Sequence, residues 1–302
     1  MERVIGKYGN ENSEFVLIVL AGIHGNEKAG IGTLNYLFDF FDKKKAKVNA
    51  QVIGIAGNTK AIEENTRFIH KDLNRQWYSS KITKLKALPH GMLNTAEDHE
   101  QKEMIAVLET LFEENKNKQI FLVDLHTTSA KGGCFSITNP VAKSSEYACM
   151  IPVPVINGMT TILKGTTLEF CYDNDIAAIA YEAGQHVEPA SVERMKAGLI
   201  SVLYKNNCIS KEIYDCFLEE IRELEDFNAQ LPKAVNVIYR HPVDDEDEFV
   251  MKKGYSNFQP IAKGEQLATD KNGAILSPHD GLILMPLYQK KGSDGFFIVA
   301  EL

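Results

Sequence analysis

The chain has 302 residues, 44% hydrophobic and 25% charged, a composition that excludes disordered and collagen-like classes and supplies a core needing neither disulfide nor metal to fold. Its net charge of -8, from 41 acidic and 33 basic residues, offers no basic footprint for nucleic acid or an anionic membrane. No apolar run is long enough for a transmembrane helix, the start MERVIGKYGNENSEF lacks the apolar stretch of a secretory signal, and the five scattered cysteines form no C-x-x-C pair, so a cytoplasmic protein with reduced thiols is expected.

The run FVLIVLA, ending at Ala21, is continuously apolar and predicts a strand covered on both faces. A glycine-containing loop follows, and then Ile31, Leu34, Leu37, Phe38 and Phe41 recur three or four residues apart, which predicts a helix over Glu27 to Asp42. A second strand is expected over Val48 to Ala56. Thr95 opens T-A-E-D, a capping signature ahead of a helix through Met104, Leu108 and Leu111. Ile120 to Leu125 and Ile176 to Tyr181 read as further buried strands. Helices are expected from Pro189 to Tyr204 and over Lys211 to Phe227. This alternation implies a layered α/β sandwich. Beyond Leu231 the helical period gives way to short β-prone runs, VNVIY and GLILM, separated by Gly, Pro, Asp and Asn. The expected division is therefore 1–230 for an α/β domain and 231–302 for a small β domain, with Asp244 to Glu248 as a solvated acidic loop.

Four segments carry residues suited to chemistry. In AGIHGNEKAG, His24 and Glu27 stand at the C-terminal end of the first apolar strand, where α/β sheets place their ligands. An H-x-x-E in such a loop can offer two of the three ligands of a catalytic zinc, although alone it is more often a hydrogen-bonded surface feature. In LVDLHTTS, His126 stands at another strand end. His24, Glu27 and His126 then make a His2Glu set, with Asp124 available to orient an imidazole. In IAYEAGQH, Glu182 is placed to take a proton from water and return it to a leaving nitrogen. In NTRFIHKDLNRQW, which also contains Asp72, Arg67, Asn74 and Arg75 suit recognition of carboxylates, structural salt bridges being the alternative.

GIHGNE, the stretch from Arg67 through DLNR, DLHTT and YEAG together resemble the succinylglutamate desuccinylase and aspartoacylase family, itself related to zinc carboxypeptidases. The ending GEQLATDKNGAILSPHDGLILMP is similar to that family's C-terminal β domain. The resemblance implies a three-layer α/β/α sandwich around a mixed sheet, a small β domain roofing the site, and one zinc per chain held by His24, Glu27 and His126. It implies Glu182 as general base and acid, Arg67 polarising the scissile carbonyl, and Asn74 with Arg75 binding the amino-acid carboxylate. The activity it implies is hydrolysis of a small N-acyl amino acid to a carboxylic acid and a free amino acid. A zinc carboxypeptidase acting on short peptides and a non-catalytic metal-binding homologue are the competing readings, and a homo-oligomer is compatible with all three. Aspartoacylases supply a further arginine a short way before the catalytic glutamate, whereas Thr160 to Asp175 here contains only Lys164. N-acetylaspartate is therefore expected to be a poor substrate unless Lys164, Arg194 or Arg240 replaces that arginine.

Overall fold

In a computed structural model, residues 1–302 are all described. Strand β1 (Val4–Gly9) precedes β2 (Phe15–Ala21), helix α1 (Ala29–Lys44) and β3 (Gln51–Ala56). Helices α2 (Thr59–Glu64), α3 (Ser79–Ala87) and α4 (Ala96–Glu114) lead to β4 (Gln119–Thr128). Then come β5 (Phe135–Thr138), α5 (Ala142–Ala148), β6 (Val155–Asn157), α6 (Met159–Ile162), α7 (Thr167–Asp173) and β7 (Ala177–Gln185). Helices α8 (Ala190–Lys205), α9 (Lys211–Asp215) and α10 (Leu218–Asn228) close the helical part. The β-rich end holds β8 (Ala234–Pro242), β9 (Val250–Met251), β10 (Gln259–Ile261), β11 (Gln266–Asp270), β12 (Gly273–Leu276), β13 (Gly281–Leu284) and β14 (Asp294–Glu301). No helix is long and apolar enough to cross a membrane.

The layers follow from the side-chain period of two in a strand. Along β2, Phe15, Leu17, Val19 and Ala21 enter one apolar cluster with α1, α5, α8 and α10, whereas Val16, Ile18 and Leu20 enter another with α3, α4 and α7. That is why the strand reads as an unbroken apolar run: both faces are covered. The result is an α/β/α sandwich around an 11-stranded mixed sheet ordered β1-β3-β2-β4-β7-β5-β6-β8-β14-β13-β10. β3, β2, β4 and β7 run parallel, so their C-terminal ends share one rim. Helix α4 begins where T-A-E-D placed it, with the Thr95 hydroxyl accepting from the Asp98 amide.

One local expectation is revised. The helix read as continuous from Lys211 to Phe227 breaks at Cys216 and Phe217, because the Phe217 ring packs edge-on against Phe40, centroids 4.8 Å apart, with its backbone at φ -118 and ψ 16. Periodicity alone did not show the break. In the β-rich end, β8 pairs in parallel with β6, and β14, β13 and β10 follow it, extending the central sheet. Only β12, β11 and β9 form a separate antiparallel sheet. β14 serves both bodies, since Phe297 and Val299 face the main core while Phe296 and Ile298 face a cluster of eight buried residues under the small sheet.

Candidate active site

The shared rim collects the chemistry. Gly22, at φ 73, turns the chain out of β2, and Glu27 hydrogen-bonds through its amide to the His24 carbonyl, bringing both side chains to one side of the loop. Gly25 lets this loop lie against α2, since a Cβ there would stand 2.0 Å from the Ala61 carbonyl carbon. Its amide donates to the Arg67 carbonyl, tying the second motif to the first. His126 lies in β4 directly beside Glu182 in β7 as register partners. His24, Glu27, His126 and Glu182 are all buried.

Glu27 sits between the two imidazoles. Its Oε1 is 2.9 Å from His24 Nδ1, its Oε2 is 3.1 Å from His126 Nδ1, and Oε2 also accepts from the Thr127 amide. Behind each ring stands another carboxylate: Asp72 Oδ1 is 3.1 Å from His24 Nε2, and Asp124 Oδ2 is 3.1 Å from His126 Nε2. Burial opposes ionisation of Glu27, yet His24 and His126 hold it well below the usual carboxylate range. For Asp72, burial is likewise outweighed by Arg67 and His24. His126 is raised well above the ordinary imidazole value because Asp124 and Glu27 overcome its burial.

These contacts test whether a cation belongs here. A carboxylate behind Nε2 favours a proton on that nitrogen and leaves the Nδ1 lone pair facing Glu27. Glu27, held ionised, also presents lone pairs, so the contacts at 2.9 and 3.1 Å are repulsive unless positive charge lies among them. Protons on both Nδ1 atoms or one metal cation satisfy the arrangement. The ligand atoms of His24, Glu27 and His126 all lie within 4.8 Å of one another, and two imidazole nitrogens with one carboxylate are a donor set suited to zinc.

Glu182 has Oε2 buried without a hydrogen-bond partner. Burial pushes its carboxyl up to about 8, against the opposing pull of His126. A carboxyl in that range exchanges protons near neutral pH. Arg67 donates from Nε and Nη2 to Asp72 Oδ2 and places Nη1 3.6 Å from Glu27 Oε1. Asn74 lies in the short turn Leu73–Arg75; its Oδ1 accepts from the Thr167 amide, leaving Nδ2 as its donor. Arg75 donates from Nη1 to the Asn74 carbonyl and from Nη2 to Asp294 Oδ2 at 2.6 Å, and its Nε is buried without a partner.

All seven residues singled out from the sequence, His24, Glu27, Arg67, Asn74, Arg75, His126 and Glu182, line one pocket. Asp124 Oδ2 stands 3.1 Å from His126 Nε2, without the geometry of a hydrogen bond. Several participants were not foreseen. Asp72 had been noted only beside the arginines, and Asp294, at the start of β14, ties Arg75 to Arg240 across the sheet. Met285, Leu287 and Gln289, between β13 and β14, cover the pocket, and Gln289 accepts from Asn26. Glu97, fully buried in α4, accepts from the amides of Ile69, His70 and Lys71 and from Asn58 Nδ2, so it shapes the loop between Arg67 and Asp72. Only its place in the T-A-E-D cap had marked Glu97 in the sequence. Of the three cations offered for a side-chain carboxylate, Lys164 is exposed on the Thr160 carbonyl, Arg194 pairs with Glu188, and Arg240 pairs with Asp294.

The carboxypeptidase-like α/β/α sandwich thus carries at one rim a buried His-Glu-His cluster that could hold a metal ion, with Glu182 on the adjacent strand. Murine aminoacylase 3 has a similar fold, with a TM-score of 0.62 at 17% identity over 97% of both chains. Residues 15–198 match the succinylglutamate desuccinylase/aspartoacylase catalytic domain, and the chain belongs to that family. A probable aspartoacylase from Prochlorococcus marinus (strain NATL1A) is 24% identical over 289 residues, 90% of this chain and 86% of its own. A succinylglutamate desuccinylase from Shewanella frigidimarina is 26% identical over 268 residues, 86% of this chain and 74% of its own.

Proposed function

We propose that this protein is a zinc-dependent deacylase that hydrolyses the amide bond of an N-acyl amino acid, releasing a carboxylic acid and a free amino acid. The observation that carries the reading is the pairing of the His24–Glu27–His126 cluster with a partnerless buried carboxyl on the neighbouring strand. A structural zinc site is closed by its ligands and needs no such neighbour. His24, Glu27 and His126 would hold the zinc, with Asp72 and Asp124 orienting the imidazoles. Zinc there supplies positive charge that polarises the carbonyl and makes water easier to deprotonate. Glu182 accepts the water proton as the water oxygen bonds to the carbonyl carbon, and gives it to the amide nitrogen as the C–N bond breaks. Arg67 offers its guanidinium to the negative charge that develops on the carbonyl oxygen. Asn74 through Nδ2 and Arg75 through its free Nε hold the α-carboxylate.

The test is release of free amine from acetyl and succinyl amino acids by the zinc-loaded protein, abolished by a chelator and restored by zinc. Zinc-replete protein that releases no amine from any member of such a set overturns the reading.

A further inference from the structure

The metal cluster and the arginine turn account for only part of the pocket. One stretch of the remaining wall is apolar, formed by Ile137 from β5, Met159 from α6, Leu163, Leu168 from α7, Ala180 from β7 and Phe297 from β14, while threonine, serine, His186 and Gln289 side chains line other parts. All six belong to one contiguous apolar cluster, so they form a single surface rather than scattered contacts.

Two register relations locate that surface against the reacting groups. Ala180 and Glu182 are two residues apart in β7, so their side chains leave the same face, separated by roughly 7 Å along the strand. Ile137 is the cross-strand partner of Ala180 and shares that face. At the other end, Leu168 follows Thr167, whose amide donates to Asn74 Oδ1 at 2.9 Å. The apolar wall thus reaches from beside the proton-transfer group to beside the carboxylate clamp. In an N-acyl amino acid, the atom joining the amide nitrogen to the carboxylate is Cα, and its substituent is the side chain.

The charges along the pocket decide what that side chain can be. The arginines lining it are Arg67, engaged by Asp72, and Arg75, engaged by Asp294. The lining carboxylates are Glu27, Glu182 and Asp294. A second carboxylate on the amino-acid side chain would meet no unengaged guanidinium along the apolar stretch, where burial without a partner is costly. A basic side chain gains little either, because Asp294 already receives Arg75 on one oxygen and Arg240 on the other, each at 2.6 Å.

We infer that the protein selects N-acyl amino acids with an apolar side chain, seated on Ile137, Met159, Leu163, Leu168, Ala180 and Phe297. This rests on the deacylase reading and narrows it to substrates whose amino-acid part carries a single carboxylate.

The experiment ranks kcat/KM for zinc-loaded protein on the acetyl and succinyl derivatives of leucine, methionine, phenylalanine, aspartate, glutamate and lysine. The apolar members should exceed the charged ones by about tenfold or more, the discrimination of a few buried methylenes. Leu163→Arg, in the α6–α7 connection, should lower that ratio by at least about tenfold by introducing an unengaged guanidinium. Aspartate, glutamate or lysine derivatives at the top of the wild-type ranking overturn the apolar assignment and leave the deacylase standing. If no derivative is cleaved, the deacylase reading falls and takes this assignment with it. The wild-type ranking decides the matter even if the variant does not fold.

Discussion

Glu97→Ala removes a residue that touches no substrate, and its effect measures how the arginine loop is held. Glu97 Oε1 accepts from the Ile69 amide at 2.7 Å and Asn58 Nδ2 at 3.1 Å, and Oε2 accepts from the amides of His70 at 3.1 Å and Lys71 at 3.3 Å. Hydrogen bonds to a charged group contribute roughly 1.5–3 kcal/mol each, but those to one carboxylate do not add independently, and the freed amides regain water if the loop opens. A net loss of about 3–5 kcal/mol is expected, because several donors are left without an acceptor at roughly 1–3 kcal/mol each, partly offset as the loop regains water. Opening the loop displaces Arg67, Asp72, Asn74 and Arg75 together, and a shift of about 1 Å in such groups lowers turnover by about 10²-fold. Denaturant midpoint and kcat/KM are measured on zinc-loaded protein for wild type, Glu97→Ala and Glu97→Gln. The amide keeps one acceptor but turns an NH2 toward the backbone donors, so it should fall between the other two. A Glu97→Ala protein with an unchanged midpoint and kcat/KM within about twofold of wild type would refute the positioning role, because a loop that close to native needs no such anchor.

Further expectations follow from single residues. Glu182→Gln preserves shape but cannot accept a proton, so zinc content by elemental analysis should persist while kcat falls by about 10²-fold or more; near-wild-type turnover would make Glu182 structural. His126→Ala leaves two of the three donors and should lose most of its zinc, and full retention would remove His126 from the ligand set. Arg75→Ala should chiefly raise KM, and Arg75→Lys should restore little of it because an ammonium lacks the Nε donor and the fork; a purely structural arginine would instead lower stability with KM unchanged. Asp98 supplies the pH test. Burial raises its carboxyl, but Lys71, Thr95 and Lys81 outweigh this and bring it from 3.8 to about 2, while Lys81, lowered to about 8, stays protonated at neutral pH. A depressed carboxylate contributes stability above its unfolded value and loses it as pH falls through the folded one. Asp98→Asn should thus cost about 2 kcal/mol at pH 7, a difference that closes between about pH 4 and 2 in denaturant titrations; a pH-independent difference would mean that packing, not charge, is lost.

The identity of each donor was readable in the sequence because each lies within or just after its own apolar strand. The run FVLIVLA ends at the loop holding His24 and Glu27, IFLVDL leads to His126, and IAAIAY leads to Glu182. A parallel sheet brings those ends to one rim whatever the exact register, so neighbours along the chain suffice to bring the three together. The same local information gave a good account of β2 and the start of α4, and it failed at Cys216, where burial of Phe217 against Phe40 outweighs helical propensity.

What the tertiary structure alone decided are pairings between segments far apart in the chain. Asp294 engages Arg75 across 219 positions and becomes adjacent to the site only because β14 pairs with β8 and the sheet continues through β6. Glu97 meets the Arg67 loop because α4 packs under it, and the apolar wall exists because Ile137, Leu168 and Phe297 arrive from different elements on one face. Hydrophobic periodicity specifies which face of a segment is buried but not which residue of a distant segment lies opposite it; that is set by register and packing. The candidate donors, each placed by its own strand, were therefore legible, whereas the lining that determines what else the pocket holds depended on the folded chain.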